Sequence, residues 1–322
     1  MQKNYFGIDV DSENLVVAYT SSSKKVSIKN FKNTLKGITS LLKWARTYSD
    51  PHLILEATGT YSKRLFHTAV AEDIAVSQLT PSQGRSIGVL LKKKNKTDEE
   101  DARSLLTYGQ LMSPLSSTAP SEKQEQVRQL ISYISYLQKE KTKISNKLHA
   151  LSFEHFPCAY VIKELEQAQD LKDLKLEEAL EKLKKLKGKE LEPAIKLAET
   201  VTGIGYKTAM YLMLLTGGLD NFTTAAQLVC FVGVCPTRFE SGKSTRKSSH
   251  ISKKGSKILR ALLYMCARSA RIHNPGCKDL YDRLRAKGKC HKAAMVAVGH
   301  KLLRQVFAVV KNKVAFDKKL AL

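Results

Sequence analysis

The chain has 322 residues, 43% of them hydrophobic, which is enough for two domains with buried cores and excludes wholesale disorder. Lys and Arg number 54 against 30 Asp and Glu, a formal net charge of +24. So large a charge repels itself on folding, and a polyanion is the partner that offsets it.

In chain order, the opening MQKNYFGIDV lacks the apolar core of a signal peptide. No apolar run reads as long enough to span a bilayer, so a cytoplasmic location is expected. Tyr5–Val10, Leu15–Tyr19 and Val26–Phe31 read as three consecutive strands, the last half-exposed by its period-two alternation. Thr34–Tyr48 has helical spacing, with Asn33 or Thr34 as the cap. A short buried strand at His52–Leu55, a helix at Tyr61–Ala71 and a strand at Ile74–Leu79 follow. This order predicts an α/β sheet that begins as a meander.

Residues 85 to 100 are basic and turn-prone, and Asp98–Met112 reads as a helix with an acidic first turn. Residues 121–190 read as a helical connector. Its Leu176, Leu180 and Leu183 form one apolar stripe that packs on its own chain or, as a coiled coil, on another subunit. Residues 191–322 read as a mainly helical, basic domain. From Arg238 to Leu322 there are 22 Lys and Arg against 4 Asp and Glu, so a phosphate backbone is expected there, bound by counterion release. Domains are therefore expected at 1–120, 121–190 and 191–322. The six cysteines (158, 230, 235, 266, 277 and 290) include no CxxC pair. Cys230 with Cys235, or Cys277 with Cys290 and His291, give spacings that fit no common zinc site. Reduced structural thiols are the expectation.

Four acidic residues stand where a nuclease built on such a sheet needs them. Asp9 ends the first strand in FGIDV, and Glu56 ends the fourth in LILEATGTY. Asp98 and Asp101 are three apart in NKTDEEDAR, on one face of their helix. Four converging carboxylates repel each other unless divalent cations neutralise them, and two Mg²⁺ ions roughly 4 Å apart would do so. The alternative is four ordinary cap and loop residues. For Asp98, beside Glu99 and Glu100, the helix dipole alone accounts for much.

The stretch TRFESGKSTRKSSHISKKG, 237–255, crowds Lys, Arg, Ser and Thr around two glycines. Its GKS ends like a P-loop, but the first glycine of that motif would have to be residue 237, which is Thr237. Two readings stay open: a basic loop that grips phosphates, or the seat of a nucleophilic serine assisted by Lys243, Arg246, Lys253 and Lys254. His250 reads as an exposed basic-loop residue rather than a base. VTGIGYKTA, 201–209, has two glycines, Gly203 and Gly205, followed by Lys207. It is similar to a helix-hairpin-helix turn, or is a plain helix–helix connection. Tyr61 either stacks on a base or lies in the core.

Taken together, GIDV, EATGTY, NKTDEEDAR, TGIGYKTA, FVGVCPTRFESGKS and ISKKGSKILRALLY resemble, in order and along nearly the whole chain, the insertion-sequence transposases of the IS110 family. The resemblance implies an RNase H-like, RuvC-like N-terminal domain whose DEDD tetrad is Asp9, Glu56, Asp98 and Asp101, with Mg²⁺ as cofactor. It implies a helical connector and a C-terminal domain whose catalytic serine matches Ser241 in ESGKS. DNA is the implied substrate, held by residues such as Gly203, Gly205, Lys207, Arg238, Lys243, Arg246, Lys253, Lys254 and Arg260. The family also implies a structured guide RNA and a homo-oligomer, a dimer or tetramer, in which one subunit's carboxylates face another's serine. Lys247 stands where the family commonly has glycine, and His250 where it has arginine. Two further readings fit the residues: a metal-dependent, structure-selective nuclease of the junction-resolvase kind, and a non-catalytic basic nucleic-acid-binding protein.

Overall fold

The computed structural model describes residues 3–21, 23–57, 59–91, 97–241 and 245–317, with the backbone alone for 238–241 and 245–249. The chain divides into two compact units, Met1–Pro120 and Ser121–Leu322.

In the first unit β1 (Asn4–Val10), β2 (Asn14–Thr20) and β3 (Val26–Lys32) form an antiparallel meander. Strands β4 (Pro51–Glu56) and β5 (Ala75–Leu79) add in parallel on the other side of β1, giving the order β3-β2-β1-β4-β5. The crossovers run through α1 (Leu35–Ala45) and α2 (Tyr61–Ala71). Strand alternation sorts the side chains by face. Phe6, Ile8 and Val10 of β1, with Leu53 and Leu55 of β4, share a core with Leu41, Leu42, Leu65 and Phe66 of α1 and α2. The opposite face, with Gly7 and Ile54, meets α3 (Pro81–Leu90) and α4 (Asp98–Met112).

Gly7 sets how closely α4 lies on the sheet. A Cβ there would stand 2.1 Å from Ala102 O and 2.2 Å from Leu106 N, so the two backbones touch and only glycine fits. Helix α3 extends to Leu90, where the basic composition suggests a turn-prone stretch. Thr80 before Pro81, with Gln83 Oε1 accepting from Thr80 N at 2.9 Å, starts the helix firmly enough to carry it onward. Of that basic stretch, Lys92 to Lys96 lie outside the described residues.

The second unit opens with α5 (Glu122–Leu151) and α6 (Ala159–Lys187). Lys141 Nζ donates to Asp173 Oδ2 at 2.7 Å, Ser145 to Gln169 at 3.1 Å, and Lys123 pairs with Glu190. As residue numbers rise on α5 they fall on α6, so the pair is an antiparallel hairpin. The leucine stripe packs on its own chain, with Leu183 fully buried in a core that includes Val127, Ile131 and Ile134 of α5. Helices α7 (Glu192–Thr200), α8 (Tyr206–Thr216), α9 (Ala225–Val232), α10 (Lys257–His273), α11 (Pro275–Ala286) and α12 (His291–Asn312) complete that core.

One expectation is corrected here. Helix α12 does have the length and hydropathy of a membrane span, although the sequence suggests no such run. Its Met295, Val298, Leu302, Leu303 and Val306 are fully buried against the other helices, which accounts for its composition. Residues 191–322 are mainly helical as expected, with one β-hairpin among the helices, β6 (Pro236–Ser241) and β7 (Thr245–Ile251), paired antiparallel from Pro236↔Ile251 to Ser241↔Thr245. Such short polar strands carry no apolar alternation by which sequence could mark them.

Candidate active site

The carboxylates are placed by strand register and helix spacing. In the parallel pair, Ile8 is opposite Leu55, so the next residues, Asp9 and Glu56, end adjacent strands roughly 5 Å apart. By alternation both point to the face of Gly7 and Ile54, the face covered by α3 and α4. On α4, Asp98 and Asp101 share a stripe with Leu105, which packs on Ile54. The Gly7 contact with Ala102 fixes the start of α4 beside the end of β1. All four residues therefore lie on one face at the C-terminal edge of β1 and β4. Glu56 rests against α3, where a Cβ on Gly84 would sit 2.3 Å from its Oε2. Thr97 caps α4, its Oγ1 accepting from Glu100 N at 3.3 Å. The helix N-terminus eases the gathering of negative charge.

The field at this edge is visible in Asp9. Its carboxyl is pushed up to about 6, first by burial and then by the charges of Asp101, Asp98 and Glu56, against one backbone hydrogen bond from Val10. Ionising Asp9 is thus disfavoured by burial and then by the other three carboxylates, and a divalent cation would relieve that penalty. The donor set is all oxygen, which suits a hard cation such as Mg²⁺. Among the described residues no three His, Cys, Asp or Glu side chains are gathered closely enough to hold a metal ion. Coulomb coupling reaches further than a metal–oxygen bond, so the two observations agree: the four share a face and a field without being closed into a ligand cage.

One residue at this edge has a role its sequence does not reveal. Thr34 caps α1, accepting from Gly37 N at 3.2 Å. Asn33 is not a cap: its Nδ2 donates to Asp11 O at 2.7 Å and to Tyr61 O at 3.3 Å. It ties the turn after Asp9 to the helix that follows Glu56. Tyr61 is 52% exposed and so does not belong to the core.

Ser241 is the last residue of β6 and Arg238 lies in the same strand, while Arg246 lies in β7. Gly242, Lys243 and Ser244, which join the strands, lie outside the described residues, as do the side chains of Arg238, Ser241 and Arg246. At the foot of the hairpin, Thr237 Oγ1 donates to His250 O at 2.7 Å and Ser252 N to Cys235 O at 2.8 Å. Lys253, with φ of 54°, donates its N–H to Gly233 O, and Lys254 is exposed. Arg260 is partly buried, and its guanidinium donates to Val232 O at 3.1 Å and Gly255 O at 2.9 Å. Those carbonyls belong to the end of α9 and the start of α10, so Arg260 holds the hairpin's base.

The GIG turn divides in the same way. Gly203, with φ of 107°, lies where a Cβ would be 2.6 Å from Ala270 Cβ, a conformation and a contact that only glycine allows. Asn274, fully buried, donates to Thr202 O at 3.1 Å and holds the turn from α10. Gly205 has open space around it and caps α8, with exposed Lys207 in the first turn. Gly205 and Lys207 thus form the exposed part of the turn.

Comparison with known proteins places these residues in a family. Residues 6–157 match the IS110 DEDD transposase model, described as Transposase, and residues 195–282 match the Transposase IS116/IS110/IS902 family. The first span holds all four carboxylates and the second holds the GIG turn and Ser241. The pilin gene-inverting proteins of Moraxella bovis and Moraxella lacunata are each 28% identical over 325 residues, covering 99% of this chain and 99% of theirs. The insertion element IS110 uncharacterized 43.6 kDa protein of Streptomyces coelicolor is 27% identical over 131 residues, 41% of this chain and 32% of that one. With a five-stranded mixed sheet bearing the carboxylates in one unit and a mostly helical second unit, and with two models of one family matched in series, this chain belongs to the IS110/IS116 family of insertion-sequence transposases, enzymes that cut and rejoin DNA.

Proposed function

We propose that this transposase exchanges DNA strands using Mg²⁺ held by Asp9, Glu56, Asp98 and Asp101 and a nucleophilic serine, Ser241. The observation that carries the metal half is the gathering of four carboxylates on one sheet edge, where burial first and then the charges of Asp101, Asp98 and Glu56 raise the Asp9 carboxyl to about 6. Such self-repulsion is retained where a cation uses it. Bound there, Mg²⁺ would polarise a scissile phosphate and offset its developing charge. The chain's own residues do the rest. Asp9 and Glu56, on adjacent strand ends, fix the spacing of the ligands, and α4 brings Asp98 and Asp101 as a rigid pair.

Ser241 Oγ attacks the phosphorus, the bond to the departing sugar oxygen breaks, and the serine proton leaves to that oxygen or to water. The phosphoserine then keeps the strand attached until a second hydroxyl displaces it. Lys243, Arg246, Lys253 and Lys254 supply positive charge in the same stretch of sequence, suited to a five-coordinate phosphorus. Gly205, Lys207 and Arg238 are assigned to the DNA backbone, and Arg260 to the support of the hairpin.

The full-length similarity to two pilin gene-inverting proteins favours exchange between two sites, which calls for at least a homodimer. The basic excess after Arg238 accommodates DNA together with a structured RNA guide. Incubating labelled DNA with protein and Mg²⁺ tests the reading. Asp9→Ala is expected to abolish cleavage, and Ser241→Ala to abolish both cleavage and joining. Cleavage by the Ser241→Ala protein would replace the recombinase with a nuclease that uses water. Sequencing the nucleic acid that co-purifies with the protein tests the guide: one abundant structured RNA is expected, and bulk RNA alone would remove it.

A further inference from the structure

Cys230, near the end of α9, and Cys235, just before β6, flank the turn that leads into the serine hairpin. A hydrogen bond at 3.2 Å joins the Cys230 and Cys235 sulfurs. Cys230 is exposed and Cys235 is half-buried, so oxidants reach the pair. The other described thiols have different company. Cys266 and Cys277 are buried, the first donating to Thr208 Oγ1 at 3.3 Å and the second facing Gln305 Oε1 at 3.9 Å. Among the described residues, only Cys230 and Cys235 have a thiol–thiol contact. Nor does the pair have a third ligand: among the described residues no three His, Cys, Asp or Glu side chains are placed to hold a metal.

The frame around the pair brings it together before any bond forms. Gly233 ends α9 with φ of 81° and donates its N–H to Val229 O at 3.0 Å, and Val234 N donates to the same carbonyl at 3.2 Å. That turn folds residue 235 back onto the last turn of α9. Hydrogen bonds from Ser252 N to Cys235 O and from Lys253 N to Gly233 O stitch the turn to the end of β7. Arg260 grips Val232 O from the other side. A disulfide formed here adds a covalent tie to a turn that is already folded, which limits the strain of closure.

We propose that Cys230 and Cys235 are a redox-active dithiol that closes to an intramolecular disulfide at the foot of the hairpin bearing Ser241. The oxidant is a small-molecule disulfide such as oxidised glutathione. One cysteine, as thiolate, attacks a sulfur of that disulfide and expels one reduced thiol, leaving a mixed disulfide. The second cysteine attacks the protein sulfur of the mixed disulfide and expels the other reduced thiol. Two protein thiols lose two protons and two electrons, and the oxidant becomes two thiols. The hydrogen bond with Cys230, followed by burial, holds the Cys235 thiol above its usual range. Closure therefore quickens as pH rises. The bond joins the last turn of α9 to the residue before β6, so it restrains the foot of the hairpin. The proposal stands whether or not Ser241 is the nucleophile.

The test uses the full chain carrying Cys158→Ser and Cys290→Ser, which removes the other two exposed thiols. With oxidised glutathione, intact-mass and peptide analysis is expected to show loss of two hydrogens per chain and a 230–235 crosslink, reversed by dithiothreitol. Adding Cys230→Ser or Cys235→Ser is expected to leave a glutathione adduct on the remaining cysteine. Hydrogen exchange at the Ser252 and Lys253 amides is expected to slow about tenfold in the oxidised form. Glutathione adducts on both cysteines without a crosslink would overturn the proposal. So would binding of Zn²⁺ alone at one ion per chain, lost on Cys230→Ser, which would make the pair part of a metal site.

Discussion

In the first unit each candidate residue lies near the end of an element that packs in the sheet or against it, whereas in the second the candidate serine ends a two-stranded hairpin with one pairing partner. Asp9 is the next-to-last residue of β1 and Glu56 the last of β4, neighbouring strands of a five-stranded sheet, and Asp98 and Asp101 begin a helix pressed onto it at Gly7. Strand β6 pairs only with β7 and is fastened at its foot, by Thr237, Ser252 and Arg260. Both units are net positive, but the excess lies mainly in the second. Residues 1–120 hold 16 Lys and Arg against 11 Asp and Glu, while residues 121–322 hold 38 against 19. A site that gathers like charges needs rigid elements to impose their mutual repulsion. A site built of cations and hydroxyls has no such need.

That contrast can be broken at several points, beginning with the largest effect. Asp9→Ala is expected to reduce Mg²⁺-dependent cleavage by about 10³-fold or more while leaving DNA affinity within about twofold, measured by gel assay and by titration. Full cleavage by this variant would take the carboxylates out of the chemistry. Next comes the GIG turn, where Gly203→Ala meets both a forbidden φ and the Ala270 contact. It is expected to destabilise the protein by about 3 kcal/mol in urea denaturation, while Gly205→Ala, in open space, changes stability by about 0.5 kcal/mol or less. Equal losses at the two glycines would show that the turn is held otherwise.

The electrostatic penalty at Asp9 gives a pH dependence of defined sign. The folded carboxyl titrates near 6 and the unfolded one near 3.8, so the native state binds the extra proton between those values. Stability of the metal-free protein therefore falls as pH rises from about 4 to about 6 and stays lower above that. Asp9→Asn removes the penalty and is expected to raise metal-free stability at pH 7 by about 2 kcal/mol, discounted for the part-exposure of the side chain. A loss of stability in that variant would show that Asp9 is held by favourable partners. The smallest effect belongs to the basic surface: Lys254→Ala is expected to reduce the salt slope of DNA binding by about 1 without changing stability.

How much of this could be read from the residues differs between the units for the same physical reason. Asp9 and Glu56 are legible because an acid directly after an apolar strand breaks a strong local pattern, and Asp98 with Asp101 because helical spacing is local. Asn33 is not, since its partners Asp11 and Tyr61 are reached only through the tertiary fold, and the sequence offers a helix cap as the nearer reading. In the second unit the hairpin strands are polar and short, so no periodicity marks them. Arg260 looks like any other cation of a basic stretch, although it spends its guanidinium on two backbone carbonyls. The apolar length of α12 becomes meaningful only once α7, α9, α10 and α11 are seen packed against it.

The central claim is that Ser241 becomes covalently joined to DNA. The most direct measurement is tandem mass spectrometry of protein quenched in denaturant during the reaction, after digestion of both protein and DNA. The account predicts a nucleotide remnant on the peptide containing Glu240, Ser241 and Gly242, assigned to Ser241 and absent from the Asp9→Ala protein. A remnant on Ser244, Ser248 or Ser249, or cleaved DNA with no covalent remnant at all, would contradict it.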